Sequence, residues 1–135
     1  MYLLDTDILS AARRLSPEHH VVRWLQRHNA ALYLSVVTAM EIERGIEKQR
    51  RVDPPFAAAL ETWLFDILAD FGERVLPITT QIGRRWGRLQ IQLGRADNDL
   101  PIAATAFEHD LQVVTRNVRH FDATGVVVVN PFDMS

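Results

Sequence analysis

Hydrophobic positions along the chain alternate between two spacings. Short apolar runs at Tyr2–Leu4, Leu32–Val37, Val75–Ile78, Leu111–Thr115 and Val126–Val129 have the length of buried strands. Between them the apolar residues recur at helical spacing. Thr6–Arg14 reads as a helix, and Pro17 is placed to open a second one reaching about His28, with Val21, Val22, Trp24 and Leu25 on its apolar side. A third helix is expected from Thr38 to about Arg51. The Asp53-Pro54-Pro55 turn then separates it from a fourth that ends near Asp70. From Thr80 to Leu93, Ile82, Trp86, Leu89 and Leu93 form one stripe, and Arg84, Arg85, Arg88 and Gln92 lie mostly opposite. Ile102–His109 carries Ala103, Ala104 and Ala106, as a buried helix would. Pro77 weakens Val75–Ile78 and marks it as an edge strand. Strands alternating with helices predict an α/β fold, a parallel sheet covered by helices on both faces.

Length and composition narrow this picture. The chain has 135 residues, enough for one domain with one core, so residues 1–135 are expected to form a single domain. With no cysteine there is neither a disulfide scaffold nor a thiolate metal site. The start, MYLLDTDILS, has no basic segment before its apolar residues, and no apolar run is long enough to span a bilayer. A cytoplasmic protein without membrane association is expected. The net charge of −2 gives no general attraction to nucleic acid. All of the 15 Lys and Arg residues except Lys48 are Arg, whose planar fork suits phosphate, although a GC-rich genome produces the same bias.

The chemistry is expected where the predicted strands end, because ligands of open α/β sheets bind beyond the carboxyl ends of the strands. Asp5 follows Tyr2–Leu4, Glu41 lies one helical turn beyond Leu32–Val37, Asn117 follows Leu111–Thr115, and Asp99 opens a helix of its own. Several carboxylates gathered together repel one another unless a cation sits between them, and hard oxygen ligands favour Mg²⁺ or Mn²⁺. Such an ion facing a phosphate is a hydrolytic arrangement. Each acid also has a purely structural reading. Asp5 could cap the first helix, Thr38-Ala39-Met40-Glu41 fits a capping box, and Asp99 could cap the helix that contains Pro101. Only the joint placement of the three favours a site.

These residues sit in segments that resemble the PIN-domain family, and within it the VapC- and FitB-like toxins. The segments are LLDTDILS at 3–10, SVVTAMEIERGI at 35–46, DNDLPIAATA at 97–106 and VVTRNVRHFDATGVVVVNP at 113–131. The last two are the most specific. The resemblance implies a three-layer fold with a central parallel sheet and an acidic pocket at its carboxyl edge. By position Asp5, Glu41 and Asp99 look like the metal-holding catalytic acids; Asp99 is chosen over Asp97 because it stands three residues before Ile102-Ala103-Ala104. Thr6 and Thr115 take supporting roles, and Arg116 is a candidate for substrate phosphate or, equally, a surface charge with a carboxylate partner.

The fourth acidic position of the family departs here. The expected slots hold Asn117 and His120, and Asp122 comes only after Phe121, so the fourth corner falls to Asn117 or Asp122. The implied activity is that of a Mg²⁺- or Mn²⁺-dependent endoribonuclease toxin, acting on RNA such as tRNA or ribosomal RNA. The implied partner is a VapB- or FitA-like antitoxin that alone contacts operator DNA, with a toxin homodimer inside a heterotetramer or larger assembly. A PIN fold that binds RNA or an antitoxin without cutting is the alternative. LLDTDIL also resembles the opening of haloacid-dehalogenase-like phosphatases. Those need a later catalytic Lys and an acidic Gly-Asp loop, whereas this chain has only Lys48 and no Gly-Asp pair.

Overall fold

The computed structural model describes residues 1–134. In chain order its elements are β1 (Tyr2–Leu4), α1 (Thr6–Arg14), α2 (His20–Arg27), β2 (Leu32–Ser35), α3 (Val36–Arg50), α4 (Pro54–Phe71), β3 (Val75–Leu76), α5 (Thr80–Leu93), α6 (Asp99–His109), β4 (Gln112–Val114), α7 (Val118–Asp122) and β5 (Val128–Val129). The strands form one sheet in the order β3-β2-β1-β4-β5. Every pairing in it is parallel. The Val75 strand is an edge, as Pro77 suggested.

Because successive strand residues face opposite ways, each central strand feeds two cores. Leu3 and Val113 face a core built with α5, α6 and Phe121. Leu4 and Val114 face the other, which holds Ile8, Trp24, Ile42, Ile46 and Leu64. The three layers are therefore helix, sheet, helix. Helix α6 is buried from Leu100 to Ala106, and its alanines let it lie close against the sheet. Of the aromatic residues, Trp24 is buried, whereas Phe65 is 61% exposed. Helix α5 stops at Gly94, whose φ of 65° is left-handed backbone that glycine adopts without strain.

The boundaries differ from the expected ones where a local side chain outcompetes the pattern. Pro17 lies in a turn rather than in a helix, and α2 starts at His20, with the His19 ring accepting the Val21 N–H at 3.1 Å. The Leu32 strand is two residues shorter than its apolar run, because the Ser35 hydroxyl accepts the Val37 N–H at 3.0 Å and starts α3 there. Helix α7 was not expected at all; at five residues it is too short to show a period.

The indole N–H of Trp86 is buried without a hydrogen-bond partner among the described residues. A buried orphan donor costs about 1–3 kcal/mol. Trp86→Phe should therefore leave thermal stability unchanged or raise it, despite the smaller ring. A clear drop in melting temperature would show that packing volume outweighs the orphan group.

Candidate metal centre

The strand order reverses beside β1: the chain builds β2 and β3 on one side of it, then crosses to β4 and β5 on the other. Such a reversal opens a crevice at the carboxyl ends of the two central strands. Asp5 and Thr115 stand there. The Asp5 N–H donates to Val114 O at 2.9 Å, and the Thr115 hydroxyl donates to Asp5 Oδ2 at 2.8 Å. Asp5 is only 4% exposed and Thr115 is fully buried.

The capping readings of the three acids do not survive. Asp5 occupies the N-cap position of α1, but its side chain makes no cap bond. Helix α3 is capped by Ser35, so Thr38 and Glu41 lie inside it and form no capping box. Their side chains instead meet α1: the Thr6 hydroxyl lies 2.7 Å from Glu41 Oε1 and 2.9 Å from Thr38 Oγ1. Asp99 sits in the first turn of α6, and it is Asp97 that accepts the Asp99 N–H, at 3.1 Å. The Asp99 carboxylate is half-buried, with Oδ2 3.1 Å from the His120 ring and 3.5 Å from Arg95.

The electrostatics tie these groups into one field. The Asp5 carboxyl is pushed up to about 6, first by burial and then by the negative charges of Asp99, Asp7 and Glu41, against the lowering effect of the Thr115 bond. Burial also raises Asp99, followed by the charge of Asp97, while His120 and Arg95 oppose the rise. Asp97 is held low by the Arg95 guanidinium, which grips it at 2.6 and 2.9 Å.

The remaining candidates are placed as follows. Arg116 has a carboxylate partner: it forks onto Asp7 at 2.9 and 3.0 Å and lies 5.1 Å from the centre of the Phe132 ring. The Asn117 N–H donates to Thr115 Oγ1 at 2.9 Å, locking the hydroxyl that serves Asp5. Asp122 ends α7, is exposed, and is absent from the charges that act on Asp5. Two contributors were missed in the sequence, Asp7 with its charge and His120 with its contact to Asp99. Helical spacing from Asp99 or Asp5 gave no signal for either, since both act through space.

As they stand, no three acidic or histidine side chains among the described residues converge closely enough to cage an ion. The donor chemistry nevertheless fits a hard divalent cation. The oxygens are carboxylates, and Asp5 carries a burial and repulsion penalty that a bound cation relieves. Glu41, turned to Thr6, and Asp99, turned to His120, are the two that would close on it.

The chain belongs to the PIN domain family, whose model matches residues 2–126. It is 31% identical to the VapC ribonuclease Y4jK of Sinorhizobium fredii, over 98% of this chain and 99% of that one. It is 32% identical to Toxin FitB of Neisseria gonorrhoeae, again over 98% and 99%. Among solved structures, FitAcB from Neisseria gonorrhoeae superposes with a TM-score of 0.85 at 31% identity, covering 99% of this chain and all of that one. No helix is long and apolar enough to cross a membrane among the described residues.

Proposed function

We propose that residues 1–135 form one PIN domain acting as the toxin of a type II toxin–antitoxin pair, a Mg²⁺- or Mn²⁺-dependent endoribonuclease with Asp5, Glu41 and Asp99 as its catalytic, metal-holding acids. The observation that carries this reading is that all three acids stand at or within a turn or two of helix starts at the carboxyl edge of the sheet, and none of them caps its helix. Relatives over nearly the whole chain named as a ribonuclease and a toxin support it.

A divalent ion bound there supplies a water of lowered pKa and positive charge for the phosphoryl oxygens. The chain's own groups do the rest. Asp5 offers Oδ1, since Thr115 occupies Oδ2 and fixes the plane of the carboxylate. Thr6 holds Glu41 by one oxygen and leaves the other for the cation. Asn117 is a neutral fourth corner, so the site carries three negative charges plus the nearby Asp7, which Arg116 neutralises. With fewer charges facing the cation, we expect weak metal binding that favours Mn²⁺.

The partner on this reading is a VapB- or FitA-like antitoxin, through which alone operator DNA is bound. Solved neighbours include FitAB bound to a DNA fragment, at 30% identity and a TM-score of 0.77. The toxin would work in the cytoplasm as a homodimer within a larger complex, with exposed Phe65, Met40 and Val36 as surfaces for contact.

The test is incubation of the purified protein with structured RNA in Mg²⁺, Mn²⁺ or a chelator. Cleavage only with metal is expected; none in any condition would favour the binding-only alternative. Thr115→Val should weaken Mn²⁺ binding about 10- to 100-fold, the usual cost of removing a group that orients a metal ligand. Unchanged affinity would show that Thr115 serves the fold alone.

A further inference from the structure

A groove of about 300 Å³ leads away from Thr6 and Glu41 between α1, α3 and α4. Each helix contributes one face at helical spacing. Thr6, Ser10 and Arg13 come from α1 with Arg14 beside them, Glu41, Gly45 and Gln49 from α3, and Phe56, Leu60 and Trp63 from α4. The run from Thr6 to Arg13 extends about 10 Å at 1.5 Å per residue.

Its chemistry is that of neither a solvated face nor a plain apolar cleft. Arg13 and Arg14 are exposed and have no carboxylate partner among the described residues. Other arginines near the centre are already paired, Arg95 to Asp97 and Arg116 to Asp7. The Arg13 guanidinium lies 5.5 Å from the Phe56 ring centre and 5.7 Å from that of Trp63. Cations without carboxylate partners, one of them beside aromatic rings, are what single-stranded nucleic acid uses, the cations for phosphates and the rings for bases. At Gly45 the groove is open, since a Cβ added there meets nothing within 4 Å.

We propose that this groove carries the unpaired RNA strand flanking the scissile phosphate, with its phosphates on Arg13 and Arg14 and a base stacked against the Phe56–Trp63 edge. The assignment rests on the ribonuclease reading and sharpens it: the substrate is single-stranded where it leaves the acidic centre, because a paired base has no free face to stack. Continuity with the centre is direct, since Thr6 and Glu41 belong to both.

The experiment measures binding of labelled single-stranded oligoribonucleotides of randomised sequence by fluorescence anisotropy, in chelator so that nothing is cut. The wild type should bind with a strong salt dependence. Arg13→Gln with Arg14→Gln should flatten the slope of log K against log salt by about 1.4, at ~0.7 per phosphate of a single strand. Trp63→Leu should weaken binding about 5- to 150-fold, the cost of one stacked base. Trp63 also packs against the core, so Gly45→Leu provides a variant that folds: it plugs the groove and improves helix propensity. It should weaken binding at least about tenfold, while Gly45→Ala, which gains the same propensity without filling the groove, should not. Wild-type affinity and slope in the double Arg variant and in Gly45→Leu would overturn the groove assignment and leave the ribonuclease reading intact, as expected of a groove serving only a protein segment. No binding by the wild type at low salt would count against the ribonuclease reading itself.

Discussion

Asp5→Asn is expected to lower metal-dependent RNA cleavage by on the order of a hundredfold to a thousandfold, as for other losses of charge stabilisation at a reacting centre, and at the same time to stabilise the metal-free protein at neutral pH. The second effect follows from the Asp5 carboxyl, whose ordinary value of 3.8 is raised to about 6 by burial and by its acidic neighbours. Below pH 3.8 the folded and unfolded chains are both protonated and Asp5 has no effect. As the pH rises from there, the unfolded chain releases its proton first, so stability falls until about pH 6 and stays low above it. The full cost is about 3 kcal/mol at most, from the size of that shift. Asparagine avoids it and still accepts the Thr115 hydroxyl. The melting temperature of Asp5→Asn should therefore exceed that of the wild type above pH 6, with the difference vanishing near pH 4. A variant less stable than the wild type at pH 7.5 would show that Asp5 serves the fold.

Phe121→Ala should produce the largest loss of stability, about 3–5 kcal/mol, typical of a fully buried phenylalanine. Phe121 is the largest of the side chains that are completely buried, and it anchors a helix of only five residues. A loss of that size is a large part of the 5–15 kcal/mol that holds a typical domain together. The site should suffer as well, because α7 carries His120 to Asp99 and follows directly on Asn117, whose N–H fixes Thr115. Chemical denaturation checks the first part, and the Mn²⁺ affinity of the fraction that remains folded checks the second. A midpoint close to that of the wild type would mean that the neighbouring core collapses into the space.

What the sequence revealed depended on whether the determining contact was local. The α5 stripe ran its full course, and both its ends were found to the residue, since Thr79 caps one and Gly94 the other. The unbroken apolar runs through Leu3-Leu4 and Val113-Val114, set between helices, implied a sheet buried on both faces, and the two cores show it. The start of α3 was misplaced because Ser35 and Thr38 are both plausible caps, and only three-dimensional packing chooses between them. That choice also changed the reading of Glu41 from a possible capping partner to a side chain held by Thr6 from another helix. The pairing of Arg116 with Asp7 joins residues 109 positions apart, and no spacing rule could have separated that outcome from phosphate binding. His120 on Asp99 is of the same kind.

The central claim is that the three acids hold one divalent cation. Calorimetric titration of metal-free protein with Mn²⁺ at pH 7.5 tests it most directly, with wild type, Asp5→Asn and Asp99→Ala compared side by side and their folding checked by thermal melting. Saturable binding by the wild type, lost in both folded variants, is the predicted result. Equal Mn²⁺ affinity in all three proteins would contradict it.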